Sequence, residues 1–152
     1  MKVIATNRQA HHKYELFDKY EAGIALRGFE VKSVREGRVN LKDSYVRIVR
    51  GEALLINCHI SPYSHIQNVR EADPVRTRKL LLNRAEIDRL SGQTASKGRT
   101  IVPLSLYFQK GLVKIEIAVA RGKQEFDKRE TIKRRIADRE AARAIKQRRG
   151  KR

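Results

Sequence analysis

The chain has no tryptophan, one cysteine, one methionine and three prolines in 152 residues, and fewer than half as many acidic side chains as basic ones, 17 against 35. Each shortage excludes something. Cys58 has no internal partner, so no disulfide framework can staple the fold, which fits a reducing compartment. No apolar run approaches the ~20 residues a helix needs to cross a bilayer. The opening Met1-Lys2-Val3-Ile4 shows no signal-peptide core or cleavage site, so a cytoplasmic protein is expected. The four histidines form neither an H-x3-H nor an HExxH pattern, and Cys58-His59 lacks a CxxC companion. Neighbours on a strand point to opposite faces, so that pair cannot chelate one ion, and neither a metal nor another cofactor is expected. P-loop, Rossmann and G-x-S-x-G patterns are all missing. Glu30, Glu36 and Asp43 come nearest to an acid–base set, but charges flanking a helix are ordinarily solvated. Nothing here requires an enzyme.

What is abundant is positive charge. The formal net charge is +18 and the pI about 10.6. Residues 128–152 hold twelve Lys/Arg and three Asp/Glu, so a sixth of the chain carries half the excess. Ile132, Ile136, Ile145 and a few alanines make too narrow a stripe to bury against a core. Like charges at Arg135/Arg139 and Arg139/Arg143 oppose a helix, yet Ala, Arg, Lys and Glu all favour one. A tail that is loose alone and becomes helical on a polyanion reconciles these facts. Residues 1–127 form the expected domain, itself basic, and phosphate is the favoured partner through counterion release. A membrane surface is the physical competitor, but the tail has no Trp, Phe or Leu face to sink into it.

Strands dominate the body. Val102, Leu104, Leu106 and Phe108 alternate with more polar neighbours, Lys110-Gly111 turns, and Val113, Ile115, Ile117 and Val119 alternate again, which describes a hairpin. Ser44–Val49 and Ala53–His59 form a second hairpin around Arg50-Gly51-Glu52. Tyr14–Leu26 is a long strand with a bulge or bend expected at Gly23. A helix is predicted over Phe29–Glu36, with Val31 and Val34 on one face and a stop at Gly37. Another is predicted over Asn83–Ser91, opened by a capping box (Asn83, Glu86), burying Ile87 and Leu90 and ending at Gly92. Residues 92–100 look like a loop. Short strands with strong turn signals favour a small barrel over a sandwich.

Two basic clusters have competing readings. Arg8, His11, His12, Lys13 and Tyr14 either clamp phosphates and stack on bases or form a solvated arm. Arg76, Arg78 and Lys79 beside Leu80-Leu81-Leu82 either form a phosphate rim or lead into a core strand, and the net charge tips toward the rim. Phe126 and Arg129, at the root of the tail, either stack on an exposed base or are one buried ring beside a charged helix start. Glu21 can accept hydrogen bonds from base or sugar donors but cannot sit against phosphate.

Several ordered stretches resemble the SsrA-binding protein (SmpB) family: Tyr20-Glu21-Ala22-Gly23-Ile24, Glu30-Val31-Lys32-Ser33-Val34-Arg35, Asn40-Leu41-Lys42-Asp43-Ser44-Tyr45 and His59-Ile60-Ser61-Pro62-Tyr63. Asp73-Pro74, Arg76-Thr77-Arg78-Lys79-Leu80-Leu81-Leu82, Val102-Pro103-Leu104-Ser105-Leu106-Tyr107-Phe108, Ala120-Arg121-Gly122-Lys123 and Asp127-Lys128-Arg129 continue the series. It runs from about Asn7 to Lys133 and is weakest over Ser91–Arg99, Arg99 standing where the family often has an aromatic.

The resemblance implies a mainly β fold, an antiparallel barrel of the oligonucleotide-binding type with flanking helices and a basic C-terminal tail. It implies an RNA-binding adaptor that grips the tRNA-like domain of transfer-messenger RNA and carries it to stalled ribosomes, delivered with elongation factor Tu. Family RNA-binding positions fall on Asn7, Glu21, Leu81 and Lys114, supported by Arg8, His12, Tyr14, Lys32 and Lys123. Asp127, Lys128 and Arg129 match a tail motif that senses the decoding centre on small-subunit rRNA, with Phe126, Lys133 and Arg134 beside it. Helical residues 128–149 would extend roughly 33 Å, long enough to thread a vacant message channel. The alternative is a structural ribosomal protein with a permanently bound tail; a nuclease is disfavoured by the missing metal or carboxylate cluster.

Overall fold

The computed structural model describes residues 1–62 and 73–122. In chain order the elements are β1 (Lys2–Thr6), α1 (Arg8–Lys13), β2 (Tyr14–Ile24), α2 (Gly28–Arg35), β3 (Val39–Asn40), β4 (Tyr45–Val49), β5 (Glu52–Ile56), β6 (His59–Ile60), β7 (Arg78–Leu81), α3 (Arg84–Gln93), β8 (Arg99–Gln109) and β9 (Leu112–Gly122). All strand pairs are antiparallel, in the order β1-β8-β4-β5-β7-β2-β9, and β9 pairs back onto β8. Six strands therefore close a ring, with β1 added along the free edge of β8. The expected barrel is present, and closure removes the open edges that would otherwise recruit other chains.

The interior follows from strand alternation. Ile115, Ile117 and Val119 of β9 face Ile101 and Leu106 of β8, with Leu55, Leu80, Val34 of α2 and Leu90 of α3 in the same cluster. The two expected hairpins form, turning on left-handed Lys110-Gly111 and Arg50-Gly51. The second ends earlier than expected, at Ile56, because Asn57 has φ 63 and breaks the strand before β6. The Asn83–Glu86 capping box is present, worth roughly 1 kcal/mol, and α3 buries Ile87 and Leu90. It runs through Gly92 to Gln93, where the Gln93 side chain joins β2: Tyr20 Oη donates to Gln93 Oε1 at 2.7 Å.

Five expectations change. The bulge in β2 lies between Leu16 and Lys19, not at Gly23, which stays in register with both Leu81 and Lys114. In β8 a bulge between Pro103 and Ser105 shifts the alternation by one residue. Leu106 and Phe108 therefore point into the barrel, while Val102 and Leu104 face outward into a second cluster with Ala10, Ala118 and Ala120. That outer patch is covered by α1, so Arg8–Lys13 is a docked helix rather than a loose arm. The loop expected over residues 92–100 is cut at both ends, by the last turn of α3 and by β8 beginning at Arg99.

The fifth correction concerns charge. Arg78 is fully buried, and Glu30 is 2% exposed. Glu30 receives Arg76 Nη2 at 2.5 Å, Arg78 Nε at 2.7 Å and the Arg27 amide at 2.8 Å. Arg78 also donates to the Cys58 carbonyl at 2.7 Å and to those of Arg76 and Pro74. Arg76 and Arg78 are therefore an internal clamp on α2, not a phosphate rim, and Glu30 is not solvated. Burial alone would raise the Glu30 carboxyl, but the Arg76 and Arg27 hydrogen bonds and the Arg78 charge outweigh it and hold it below the ordinary value. Burial also pushes the neighbouring Cys58 thiol up to about 11, which leaves it protonated and inert.

Candidate nucleic-acid interface

Residues directly opposed on antiparallel strands share a face of the sheet. Leu81 of β7 opposes Gly23 of β2, Gly23 opposes Lys114 of β9, and Lys114 opposes Tyr107 of β8. One outward row thus crosses four strands. The next row brings Glu21 opposite Glu116, and Glu116 opposite Ser105. Glu21, Leu81 and Lys114, expected as RNA-binding positions and 60 and 33 residues apart in sequence, stand side by side.

Each member has a local reason for its place. Leu81 is 55% exposed at the end of a strand whose other apolar residue, Leu80, is buried. It lies across β2 because residue 23 has no side chain: a Cβ there would sit 3.3 Å from Leu81 Cβ. Beside it is a groove of about 280 Å³ lined by Gly23, Leu26, Val31, Leu81, Leu112 and Lys114. Tyr107 lies under the row with its ring buried, and its hydroxyl donates to Glu21 Oε2. Burial and that bond to a carboxylate push the Tyr107 phenol well above its ordinary value, so it stays protonated and remains a donor.

The remaining expected residues frame the face. The docked α1 lies over β8 and β9 on the same outer side and presents exposed Arg8 and His12, with half-buried Tyr14 at its end. Lys32 is exposed on α2, next to the groove-lining Val31. Asn7 is 6% exposed and caps α1 from beneath. Its Oδ1 accepts from the Ala10 amide, and its Nδ2 donates to the carbonyls of Pro103, at 2.9 Å, and Leu41. It therefore holds Arg8 and His12 in place rather than projecting toward a ligand. Lys123, Phe126, Asp127, Lys128, Arg129, Lys133 and Arg134 lie outside the described residues.

Sequence reasoning passed over Tyr107 and the groove. Tyr107 was detectable as an aromatic on the polar side of β8, between Ser105 and Gln109. The groove depends on chain segments meeting at Gly23, which no local pattern displays. Among the described residues no His/Cys/Asp/Glu cluster could hold a metal, and no helix is long and apolar enough to cross a membrane.

A small closed barrel with a mixed cationic, apolar and carboxylate patch on its outer wall belongs to the oligonucleotide-binding class of folds. The profile of the SmpB protein family matches residues 4–147. The SsrA-binding protein of Geobacillus kaustophilus is 54% identical over 147 residues, covering 97% of this chain and 94% of the relative. That of Rubrobacter xylanophilus is 54% identical over 148 residues, covering 97% and 98%. A solved chain from "tmRNA-SmpB: a journey to the center of the bacterial ribosome" superposes with a TM-score of 0.67 at 47% identity, over 81% of this chain and 85% of that one. The chain belongs to the SmpB family.

Proposed function

We propose that the chain is a non-enzymatic RNA-binding adaptor of ribosome rescue. Residues 1–127 grip the tRNA-like domain of transfer-messenger RNA, and residues 128–152 form a separate basic tail. The complex, delivered with elongation factor Tu, works in the cytoplasm on ribosomes stalled without a usable stop codon. The observation that carries the grip is the row Leu81–Gly23–Lys114–Tyr107 with Glu21 beside it. It offers an apolar contact, a cation and an oriented acceptor within a few residues.

Those three chemistries divide the work. Lys114, Arg8 and His12 meet phosphates and set register without reading sequence. Leu81 and the groove beside it receive an unstacked base, which removes apolar area from water. Glu21 accepts from a base edge or a ribose hydroxyl, a contact that folded single-stranded loops expose. The tail, with Phe126, Asp127, Lys128, Arg129, Lys133 and Arg134 toward its start, enters the empty message channel and orders there against rRNA. Lys123 is assigned, like Lys114, to phosphate contacts. Support for this reading comes from family membership and from the names of the relatives.

Crosslinking in cells followed by sequencing of the attached RNA tests the reading. Enrichment of transfer-messenger RNA is expected. Recovery of rRNA alone, at one copy per ribosome regardless of stalling, would replace it with a permanent ribosomal component.

A further inference from the structure

The barrel is not equally tight around its circumference. β8 and β9 share ten residue pairs and β4 and β5 share five, whereas β4 meets β8 at one, Val46 and Ile101. Beyond that pair the two strands part. Arg47, Ile48 and Val49 pair with β5 alone, and Arg99 and Thr100 pair with β9 alone. In the cleft lies an open groove of about 440 Å³, lined by Tyr45, Arg47 and Ile48 of β4, Arg99 and Thr100 of β8, and Thr94 at the end of α3. Closure therefore leaves a short length of the β4 edge, about 10 Å over residues 47–49, without a strand beside it. Val49, 39% exposed, stands at its end.

The cleft is also charged with one sign only. Its lining includes two arginines and no carboxylate. Arg47 is exposed and has no ion pair or hydrogen-bond partner among the described residues. Arg99 belongs to the cross-strand row Glu15–Arg121–Arg99, whose one acid, Glu15, is bonded by Arg121 at 2.7 Å. What holds Arg99 is the Phe17 ring, 4.7 Å from its guanidinium carbon, and a ring face orients a guanidinium without consuming its N–H donors. Charge on an exposed edge ordinarily guards it against strand addition. Here the guard discriminates: it repels a cationic strand and admits an acidic one, whose carboxylates match the guanidinium fork.

We infer that the β4–β8 seam is a docking site for an extended acidic segment of a protein partner, which adds to the β4 edge as a short strand and sets its carboxylates against Arg47 and Arg99. Strand addition of this kind draws affinity from main-chain hydrogen bonds and selectivity from side chains beside the edge. A second copy of this chain does not suit the cleft, because each copy carries a net charge of +18. The chain's own residues 128–152, with twelve Lys/Arg and three Asp/Glu, have the wrong sign as well. A nucleic-acid strand would satisfy the arginines but leave the peptide edge of β4 unpaired. An acidic peptide answers both features at once.

The natural chain has no tryptophan, so Tyr45→Trp installs a reporter in the groove that binding to the basic tail does not move. Titrating this full-length variant with a terminally blocked six-residue peptide alternating valine and aspartate is expected to blue-shift its emission saturably. The same peptide N-methylated at every amide keeps its charge and side chains but donates no strand bond, and it should bind at least about fivefold more weakly. Arg47→Gln, at an exposed position, should raise the midpoint roughly threefold, and Arg47→Gln with Arg99→Gln roughly tenfold, about threefold for each partly exposed pair. The single variant guards against a folding defect at Arg99. Absence of a shift, equal binding of the methylated peptide, or a midpoint indifferent to both arginines would each overturn the inference. An eight-nucleotide oligouridylate that shifts the emission at a lower concentration than the peptide would also overturn it, by giving the cleft to nucleic acid.

Discussion

The Tyr107 hydroxyl donates to Glu21 Oε2 from the far strand of the β8–β9–β2 wall, 86 residues away in sequence. Glu21 also faces Glu116 directly, an unfavourable pairing of like charges. The phenol relieves it and fixes the carboxylate's direction, leaving its second oxygen to an incoming donor. Tyr107→Phe keeps the ring and removes only the bond. RNA affinity should fall about fivefold, ~1 kcal/mol, with a smaller loss in a Glu21→Ala background. A double-mutant cycle by fluorescence anisotropy checks this, and strictly additive losses would show that the tyrosine does not act through Glu21.

Glu21→Ala and Leu81→Ala separate grip from fold. Both side chains are exposed, so neither truncation opens a cavity, and stability should change by no more than ~0.5 kcal/mol. Affinity for the tRNA-like domain should drop about tenfold for each, since an oriented acceptor or a base-covering contact is lost. Circular dichroism beside gel shifts decides it. A variant that unfolds would return its residue to a structural role.

Gly23 gives a sharper test of the same row. Gly23→Ala puts a methyl 3.3 Å from Leu81 Cβ, so Leu81 must lean away and the groove beside it must change shape. Residue 23 is in a regular strand rather than at positive φ, so the backbone accepts alanine without strain. We expect weaker RNA binding at nearly unchanged melting temperature. Wild-type affinity in this variant would mean that Leu81 tolerates displacement and the groove carries little of the binding.

The Glu30–Arg78 clamp supports the whole barrel. Arg78→Met leaves the Glu30 carboxylate buried with less compensation, and breaking such a pair costs about 3–5 kcal/mol. Because the folded carboxyl is held below its ordinary value, its contribution is complete at neutral pH and disappears as pH falls from the ordinary carboxylate range through the lowered folded value. Urea midpoints measured across that acidic window should decline, and Glu30→Gln should make the decline shallower at the cost of lower stability at pH 7. A Glu30→Gln protein whose midpoints track the parent at every pH would contradict this.

How much of this was legible in sequence depends on the range of the interaction. Both hairpins, the capping box at Asn83 and Glu86, and the stop at Gly37 rest on neighbours a few residues apart, and they read directly. The Leu104 bulge did not, because Val102, Leu104, Leu106 and Phe108 spell one unbroken apolar face and only packing against Ala10 reveals the switch. Nor did α1, six residues with Ala10 as its sole buried side chain. Arg78 looked like surface charge because Glu30, 48 residues away, is what makes its burial tolerable. Glu21, Leu81 and Lys114 were named through family resemblance; their meeting in one patch is a property of strand register.

The tail is expected to act separately from the grip. The row Leu81–Gly23–Lys114–Tyr107 sits on β2, β7, β8 and β9, with α1 beside it, so a chain lacking residues 130–152 should retain its affinity for the isolated tRNA-like domain within about threefold, ~0.7 kcal/mol. Non-specific RNA binding should suffer far more, because the log-log salt slope falls by ~0.7 to 0.9 for every phosphate the missing cations neutralised. Tagging of incomplete peptides should disappear, since nothing would occupy the vacant message path. A peptide of residues 128–152 should gain helical dichroism on adding RNA and lose it again at high salt, where the neutralising partner dissociates. If instead the truncated chain loses its hold on the tRNA-like domain by a hundredfold, the tail belongs to the grip, and the assignment of residues 1–127 as the self-sufficient RNA-binding unit fails.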